Sequence, residues 1–430
     1  MPYLIFLVTL FLSLHASPNE PTLTKIITPS SEVAGFDVDI DGKYSAIGSS
    51  GKVYIYKHSS SLGWELSSTI QPPIESESFG IQVAIEGNIL VVADSYFGEN
   101  GQGKIYIYQL DNTNWQVKYE LEGSVEDDAE LGYRIVINNG VIAASTEFGG
   151  GIYILRENQN PEDNQIYSIQ KYVLPEIFSN EERGQFGAHI ALKDNFLAAG
   201  AKPYLISVNE GPETQSHLGS CFIIDIENTE NLQKISTTDP MINGFCGSIA
   251  LTENHLITSS LDWFGVNQQI KLLSYKKDIS GNWIKSDELV LPCNNDCDIA
   301  DIDVSNNIIA ATRFGVSSNL EDETIIEESY VQLFSINSSG RIQHLPSLPH
   351  KIYSDDVDSY FGWSISNNGN HVILGAPAST NGIISDKPQG AFYYFKIPMV
   401  GFSVPAMGSI GLLALGLSML GLGAVRIKRK

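Results

Sequence analysis

The sequence predicts an all-β protein, a seven-bladed β-propeller with four-stranded blades, and two observations indicate this fold. The first is a block, written Phe-Gly-x-x-Val-Ala-Ile-x-Gly-Asn-x-Leu-x-x-Ala at Phe79–Ala93, that recurs seven times with variations. Its glycine position falls at residues 35, 80, 132, 187, 246, 299 and 362. A constant motif at variable spacing indicates fixed strands joined by loops of free length, as in a repeat array.

The second observation is the order of apolar runs inside each repeat. The motif contains two such runs around a short turn, as at Glu86-Gly87, which is a β-hairpin pattern. A third run is rich in aromatic and β-branched residues, as in Lys104–Tyr108, and a more polar fourth run begins at a tryptophan in three repeats, as at Trp115. Four strands per repeat, the last the most solvated, describe a propeller blade.

The two ends of the repeat region predict how the ring closes. The seventh repeat ends at Phe395–Pro398 without a fourth strand, whereas the run Leu23–Ile27 precedes the first motif and resembles the outer strands. We expect Leu23–Ile27 to pair with the last blade, since this pairing removes an exposed edge. The alternative is an open seven-repeat stack. In each blade the motif glycine is expected near the axis, where strands crowd, and its phenylalanine between blades.

The repeated block, with Leu-Gly-Ala-Pro at Leu374–Pro377, resembles the FG-GAP repeat of integrin-α-type propellers over residues 22–398. The resemblance implies the fold, but such propellers serve adhesion, scaffolding and sometimes catalysis. Many members carry a calcium loop between the first two strands, and here that turn is too short to wrap a cation. The run Asp37–Gly42 imitates such a loop, yet its alternation is typical of a strand. We therefore expect no metal and no cofactor.

Both ends of the chain are predicted to direct it through a membrane. Residues 1–16 form a short apolar core with a plausible cleavage site after Ala16, as in a secretory signal peptide. Residues 408–425 are apolar and long enough to span a bilayer, and residues 426–430 form a basic tail expected in the cytoplasm.

Residues 399–407 form a linker with a candidate sorting motif that extends into the apolar run. The motif residues are Val404, Pro405, Ala406, Met407 and Gly411. The order of motif, helix and basic tail resembles the Ile-Pro-Thr-Leu and Pro-Glu-Pro types of bacterial sorting signal, which exosortases process. The resemblance implies a Gram-negative envelope protein that is held briefly in the inner membrane, then cut and moved outward. A permanent single-pass anchor is the alternative.

Charge and cysteine content restrict the partners and the compartment. The chain has 26 basic and 50 acidic residues, a formal charge of −24, which disfavours nucleic acid and anionic lipid as ligands. Four cysteines in an exported chain favour disulfides. Of three possible connectivities we expect Cys221–Cys246, between neighbouring blades, with the local bridge Cys293–Cys297. A zinc site is the competing interpretation.

No motif in the sequence predicts catalysis, because neither a Gly-x-Ser-x-Gly elbow nor a His-Glu-x-x-His pair occurs. His189 lies on a predicted first strand, and a core role is expected for it. Ligands are expected on the face where the loops between the second and third strands meet the loops between blades. A Phe-Gly pair recurs in four of those loops, at Phe97, Phe148, Phe264 and Phe314, and is expected to be structural. The candidate ligand-binding residues are the aromatics that do not recur, namely Tyr96, Tyr204 and Trp263.

Together these features predict an exported binding or adhesion module of the cell envelope or surface, without catalytic activity. Its expected partners are a surface protein or glycan and an exosortase-type processing enzyme, with membrane contact through the C-terminal helix before processing. Two alternatives remain: an envelope polysaccharide hydrolase or lyase that uses acids of the loop face, and a structural coat protein.

Overall fold

A computed structural model describes most of the repeat region. The described residues are 21–29, 33–124, 130–147, 151–159, 165–179, 182–183, 185–201, 219–237, 244–262, 269–292, 297–319, 324–327, 329–345, 351–353, 360–377 and 390–397. Within them the chain forms seven separate antiparallel sheets, each built on four strands, which are the seven blades of a β-propeller. The predicted fold is therefore confirmed.

The first strand, β1 (Thr24–Ile27), belongs to blade 7, the last blade. Blades 1 to 4 then follow in chain order, starting at β2. Blade 1 contains β2 (Ala34–Asp41), β3 (Tyr44–Ser49), β4 (Lys52–Ser59) and β5 (Gly63–Ile70). Blade 2 contains β6 (Phe79–Glu86), β7 (Ile89–Asp94), β8 (Lys104–Asp111) and β9 (Asn114–Glu122). Blade 3 contains β10 (Arg134–Asn138), β11 (Val141–Ser145), β12 (Ile152–Glu157) and β13 (Tyr167–Tyr172). Blade 4 contains β14 (Phe186–Lys193), β15 (Phe196–Ala201), β16 (Ser220–Asp225) and β17 (Asn228–Ser236).

Blades 5 to 7 complete the ring. Blade 5 contains β18 (Ile249–Leu251), β19 (His255–Asp262), β20 (Gln269–Lys277) and β21 (Trp283–Pro292). Blade 6 contains β22 (Cys297–Ser305), β23 (Ile308–Asn319), β24 (Thr324–Glu327), β25 (Tyr330–Ile336), β26 (Ile342–His344) and β27 (Ile352–Tyr353). Here β24 pairs with β23, and β27 pairs with β25. Blade 7 contains β28 (Ile365–Asn367), β29 (His371–Ala376) and β30 (Ala391–Lys396).

The ring closes as the sequence predicts. Strand β1 is the outer strand of blade 7 and pairs antiparallel with β30, with Thr24 opposite Tyr394 and Ile27 opposite Ala391. A parallel bridge between Ala34 and Gly390 joins the start of blade 1 to the same blade. The two ends of the described chain therefore hold one blade together, and the edge of β30 is covered.

The hydrophobic core lies between adjacent blades. Phe79 of blade 2 is fully buried in a cluster that includes Ile55 of blade 1, and Phe186 of blade 4 is buried in a cluster that includes Ile152 of blade 3. Because both faces of an inner strand are covered by neighbouring blades, these strands carry apolar residues on both sides. The motif phenylalanines thus fill the space between blades, as expected.

The motif glycine is required by backbone crowding. Gly80 has φ +93°, and a Cβ atom there would lie 2.4 Å from the carbonyl oxygen of Lys52 and 2.8 Å from that of Ser49. Those oxygens belong to the preceding blade, so a side chain would force two blades apart. In blade 5 the equivalent residue is Cys246, which keeps the left-handed backbone at φ 63°.

Cys246, which stands at the motif glycine position of blade 5, forms a disulfide bond. It is bonded to Cys221, the second residue of β16, with a Cα–Cα distance of 5.6 Å and a sequence separation of 25. The predicted bridge between blades 4 and 5 is confirmed. The second predicted bridge is not described, since Cys293 lies outside the described residues and only the backbone of Cys297, at the start of β22, is placed.

One predicted loop is a strand. Phe314 and Gly315 were expected in the loop between the second and third strands of blade 6, but both lie within β23, and Gly315 is opposite Cys297. This expectation was wrong because β23 continues past the blade and pairs with β24, which turns the expected loop into a second hairpin.

Candidate functional site

The first strands of all seven blades surround a central channel. A cavity of about 280 Å³ inside it is lined by residues of every blade, and a wider space of about 1020 Å³ opens at the end where first and second strands turn. The opposite end is where first strands begin and second strands finish. We call that end the loop face, because the loops between blades and the loops between second and third strands meet there.

Four aspartates of the channel are committed to joining blades. On β2, one oxygen of Asp37 accepts a hydrogen bond from the Val83 amide at 2.9 Å, and one of Asp39 accepts from the Ile85 amide at 2.7 Å. The other oxygen of each accepts from the amide of the next residue. Both carboxylates therefore bridge blade 1 to the inner strand of blade 2.

Blade 6 repeats this arrangement. Asp301 accepts from the Ile365 amide at 3.1 Å and Asp303 from the Asn367 amide at 2.6 Å. These four carboxylates form two aspartate ladders. Asp37 and Asp39 join blade 1 to blade 2, and Asp301 and Asp303 join blade 6 to blade 7. The strand-like reading of Asp37 and Asp39 is confirmed, and their oxygens bind neighbouring backbone instead of wrapping a cation. Within the described residues no group of three or more metal-binding side chains is placed to hold an ion.

Burial in the channel alters the acidity of the ladders. It raises the pKa of Asp37 to about 8, of Asp303 to about 7 and of Asp301 to about 6, while the backbone amides that they accept from act in the opposite direction. The Arg134 guanidinium also acts to lower the pKa of Asp37 and of Asp301, and the raised values already include this contribution. Part of the ladder charge is thus suppressed near neutral pH.

Exposed aromatic side chains mark the loop face. Tyr360 and Trp363, just before β28, are each 47% exposed, and their rings meet at 5.9 Å with an interplanar angle of 80°. Trp363 lines the channel cavity together with Phe36 of blade 1. Tyr96, in the loop after β7, is 59% exposed. These rings lie on the face on which ligand contacts were expected.

A pair of carboxyl groups lies beside Tyr96. Glu130, just before β10, hydrogen-bonds through its side chain to Glu147, just after β11, and burial together with this neighbour raises the pKa of Glu130 to about 7. Two carboxyl groups make such a bond only when they share a proton. Glu130 also has a left-handed backbone, at φ 62°, which is uncommon for a residue with a Cβ.

The sequence-predicted site residues are only partly placed. Tyr96 is exposed on the loop face, as expected, whereas Tyr204 and Trp263 lie outside the described residues. The sorting motif lies outside them too. His189 is on β14, as expected, and lines the channel.

Sequence reasoning missed Tyr360, Trp363 and the Glu130–Glu147 pair. A signal for Trp363 was present, because it follows the motif glycine Gly362 at a position where the other repeats place smaller or less exposed residues. The carboxyl pair had no such signal.

Comparisons with known proteins add little beyond the fold. No family model matches the chain. No curated protein matches it either. Among solved structures, a crystal structure of Saccharomyces cerevisiae Core Factor is similar over 95% of this chain and 68% of that chain, with 11% sequence identity and a TM-score of 0.47. At this level the likeness supports no conclusion about function.

The predicted membrane span lies near the C-terminal end of the sequence, outside the propeller. None of the helices in the described residues is long and apolar enough to cross a bilayer. The predicted spanning segment, residues 408–425, lies outside the described residues.

Proposed function

We propose that this chain is an exported binding module of the cell envelope, without catalytic activity, that holds a surface glycan or protein on its loop face. The observation that carries the proposal is the exposed pair Tyr360 and Trp363 at the rim of the channel. Aromatic rings that remain exposed in an otherwise well-packed fold are common anchors for ligands. Tyr96 extends the same face.

The geometry of the acids supports binding over catalysis. The ladder carboxylates use their oxygens to accept backbone amides, so they are not available to a substrate. Glu130 and Glu147 are in direct hydrogen-bond contact. Glycosidases separate their two carboxyl groups by roughly 5–9.5 Å to leave room for the sugar and water. Among the described residues, the Glu130–Glu147 pair therefore does not have the spacing that polysaccharide hydrolysis requires.

Replacing the exposed pair should abolish ligand binding without unfolding the protein. We expect the double change Tyr360→Ala and Trp363→Ala to weaken binding to the cognate envelope glycan or surface protein by a factor of about 30 or more, since two anchors contribute roughly 1 kcal/mol or more each. The measurement is binding to an array of envelope glycans and to intact cells, followed by affinity determination for each positive.

The matched control is Tyr353→Ala, which removes a tyrosine that is 45% exposed on β27, away from the channel rim. It should leave binding unchanged. Equal loss in the control and the double variant, or turnover of any glycan on the array, would contradict the proposal.

We further propose that the chain reaches the envelope through its signal peptide and that an exosortase-type enzyme removes its C-terminal segment. The predictions for residues 1–16 and 404–430 support this route. We expect the mature protein to end near Val404 and to be recovered outside the inner membrane. Mass spectrometry of the C-terminus from fractionated cells tests this, and a chain that keeps residues 408–430 in the inner membrane would show a permanent anchor instead.

A further inference from the structure

Two histidine side chains meet where blade 7 packs against blade 1, and we call this interface the seam. His58 is on β4 of blade 1 and His371 begins β29 of blade 7, and their ring centroids lie 4.7 Å apart at an interplanar angle of 49°. The Trp64 ring on β5 lies 5.1 Å from His58 and 6.0 Å from His371. Both imidazoles are half-buried, and Trp64 is buried. The two blades therefore share one compact group of rings.

The rest of the seam is apolar. Tyr56 of blade 1 and Phe392 of blade 7 pack edge-to-face at 4.7 Å, and Ile373 of blade 7 is buried in the same cluster. The Tyr394 ring of blade 7 lies 6.4 Å from Trp64. Neutral imidazole rings fit such surroundings, because they pack as flat aromatic groups. A charged ring would have to be buried there without a counter-ion, which costs free energy.

The charged groups closest to the histidines in the strand register are basic. Lys396 on β30 lies directly opposite His371, and Lys57 precedes His58 on β4. The acid of this part of blade 1 is Glu65 on β5, which lies opposite Lys57. Within the described residues, no carboxylate forms an ion pair with either histidine. A proton on either ring would therefore add a cation that nothing neutralises.

The other elements that pack here do not supply a counter-ion. The turn after β2 lies beside β4, since the His58 amide donates to the Lys43 carbonyl at 2.8 Å. In that turn the Asp41 carboxylate accepts the Gly87 amide at 2.7 Å, and the Lys43 ammonium lies over the Tyr44 ring. Strand β28 contains no ionisable residue, and the cation of β1, Lys25, lies over the Tyr393 ring.

We infer that the seam is a pH-sensitive switch, in which blades 7 and 1 pack closely while both imidazoles are neutral and loosen when the imidazoles are protonated. Histidine is the side chain whose charge ordinarily changes between pH 8 and pH 5. In the closed seam, burial together with His58 and Lys396 lowers the pKa of His371 from 6.5 to about 4. The closed seam therefore resists the proton that a loosened seam accepts.

The expected size of the effect follows from this difference. When the seam loosens, His371 regains its ordinary pKa of 6.5, so proton uptake favours the loosened state about 30-fold more at pH 5 than at pH 7.5. Solvent screens a half-buried group, so we expect about ten-fold. The aspartate ladders change the stability of the whole fold in the opposite direction. The switch therefore has to be measured locally, at the seam.

The switch would regulate the proposed ligand surface, and this part of the inference rests on the proposed function. At the loop face, Trp363 of blade 7 and Phe36 of blade 1 line the same channel cavity, so they stand on the two sides of the seam. Loosening the seam changes the spacing between these two rings. A ligand that is held on the loop face near neutral pH should therefore be released in acid.

Hydrogen exchange of the full chain, followed by mass spectrometry, tests the switch without any ligand. Protection factors, which correct for the intrinsic pH dependence of exchange, are compared between β4 and β29 at the seam and β8 and β11 of blades 2 and 3. Between pH 7.5 and pH 5, protection at the seam should fall about ten-fold relative to blades 2 and 3. His371→Gln should remove most of this change, and His58→Gln should reduce it.

The matched control is His344→Gln, which removes a half-buried histidine of β26 that lies against the Phe334 ring in blade 6. It should leave the pH dependence at the seam unchanged. Equal relative protection at both pH values in the unmodified protein would overturn the inference, as would an unchanged pH dependence in both seam variants or its loss in the control. A seam that loosens in acid in a protein that binds no glycan or surface protein would contradict the proposed function alone.

Discussion

Removal of residues 21–28, which contain β1, should open the propeller and make the protein aggregate. Strand β1 is the outer strand of blade 7, and its register places Lys25 opposite Tyr393 and Ile26 opposite Phe392. Without it, β30 becomes an exposed edge next to the large apolar side chains of that blade, which is a template for pairing with other chains. We expect a loss of several kcal/mol in the free energy of unfolding, comparable to other losses of core packing.

Thermal unfolding and light scattering measure this effect. The matched control is Lys25→Ala, which keeps the strand and removes a side chain whose ammonium group lies 5.8 Å from the Tyr393 ring. That change should cost about 0.5–1 kcal/mol. A truncated protein that stays monomeric and melts at the temperature of the full chain would show that closure by β1 does not stabilise the ring.

The second large effect is the pH dependence of stability that the aspartate ladders impose. The pKa of Asp37 is raised from 3.8 to about 8 and that of Asp303 from 3.8 to about 7, chiefly by burial. Between pH 3.8 and these raised pKa values, the folded protein holds protons on Asp37 and Asp303 that the unfolded chain has lost. The stabilisation is complete below pH 3.8 and disappears as the pH rises through the folded-state values, so these groups make the fold less stable at pH 8 than at pH 5.

One histidine acts in the opposite direction. Burial, with His58 and Lys396 nearby, lowers the pKa of His371 from 6.5 to about 4, so this group destabilises the fold as the pH falls from 6.5 to 4. Because Asp37 and Asp303 together outweigh this one histidine, stability should still fall as the pH rises from 4 to 6.5, but less steeply than the carboxyl groups alone would make it fall. Each unit of pKa shift corresponds to at most about 1.4 kcal/mol, and channel water reduces that figure.

Variants of the ladders separate charge from hydrogen bonding. Asp37→Asn with Asp303→Asn removes two titrating groups while each amide oxygen can still accept one backbone amide, so the melting temperature should vary less between pH 5 and pH 8. Asp303→Ala leaves the Val304 and Asn367 amides without their acceptor and should cost about 2–4 kcal/mol at all pH values. An unchanged pH profile in the asparagine variant would show that the ladders stay ionised throughout.

Most of the fold could be predicted from the sequence because the information is local and repeated. Each copy of the motif carries its own hairpin pattern, so seven copies give seven opportunities to recognise the same blade, and the missing fourth strand of the last copy leaves Leu23–Ile27 as its natural partner. Cys221 and Cys246 could be paired because the repeat alignment places them on neighbouring blades. The loop expected at Phe314 failed since the extra strand β24 has no counterpart in the other repeats.

The candidate site depended on contacts between blades, which the sequence of one repeat does not contain. Asp37 meets Val83, Asp301 meets Ile365, and Tyr96 meets Glu130, all through the register and twist that set one blade against the next. The exposure of Tyr360 and Trp363 likewise follows from where the channel rim lies. Local pattern determined the strands and their order, because hydrogen bonding and periodicity act over a few residues. Only the tertiary structure decided which side chains share a surface, because that depends on the packing angle between blades.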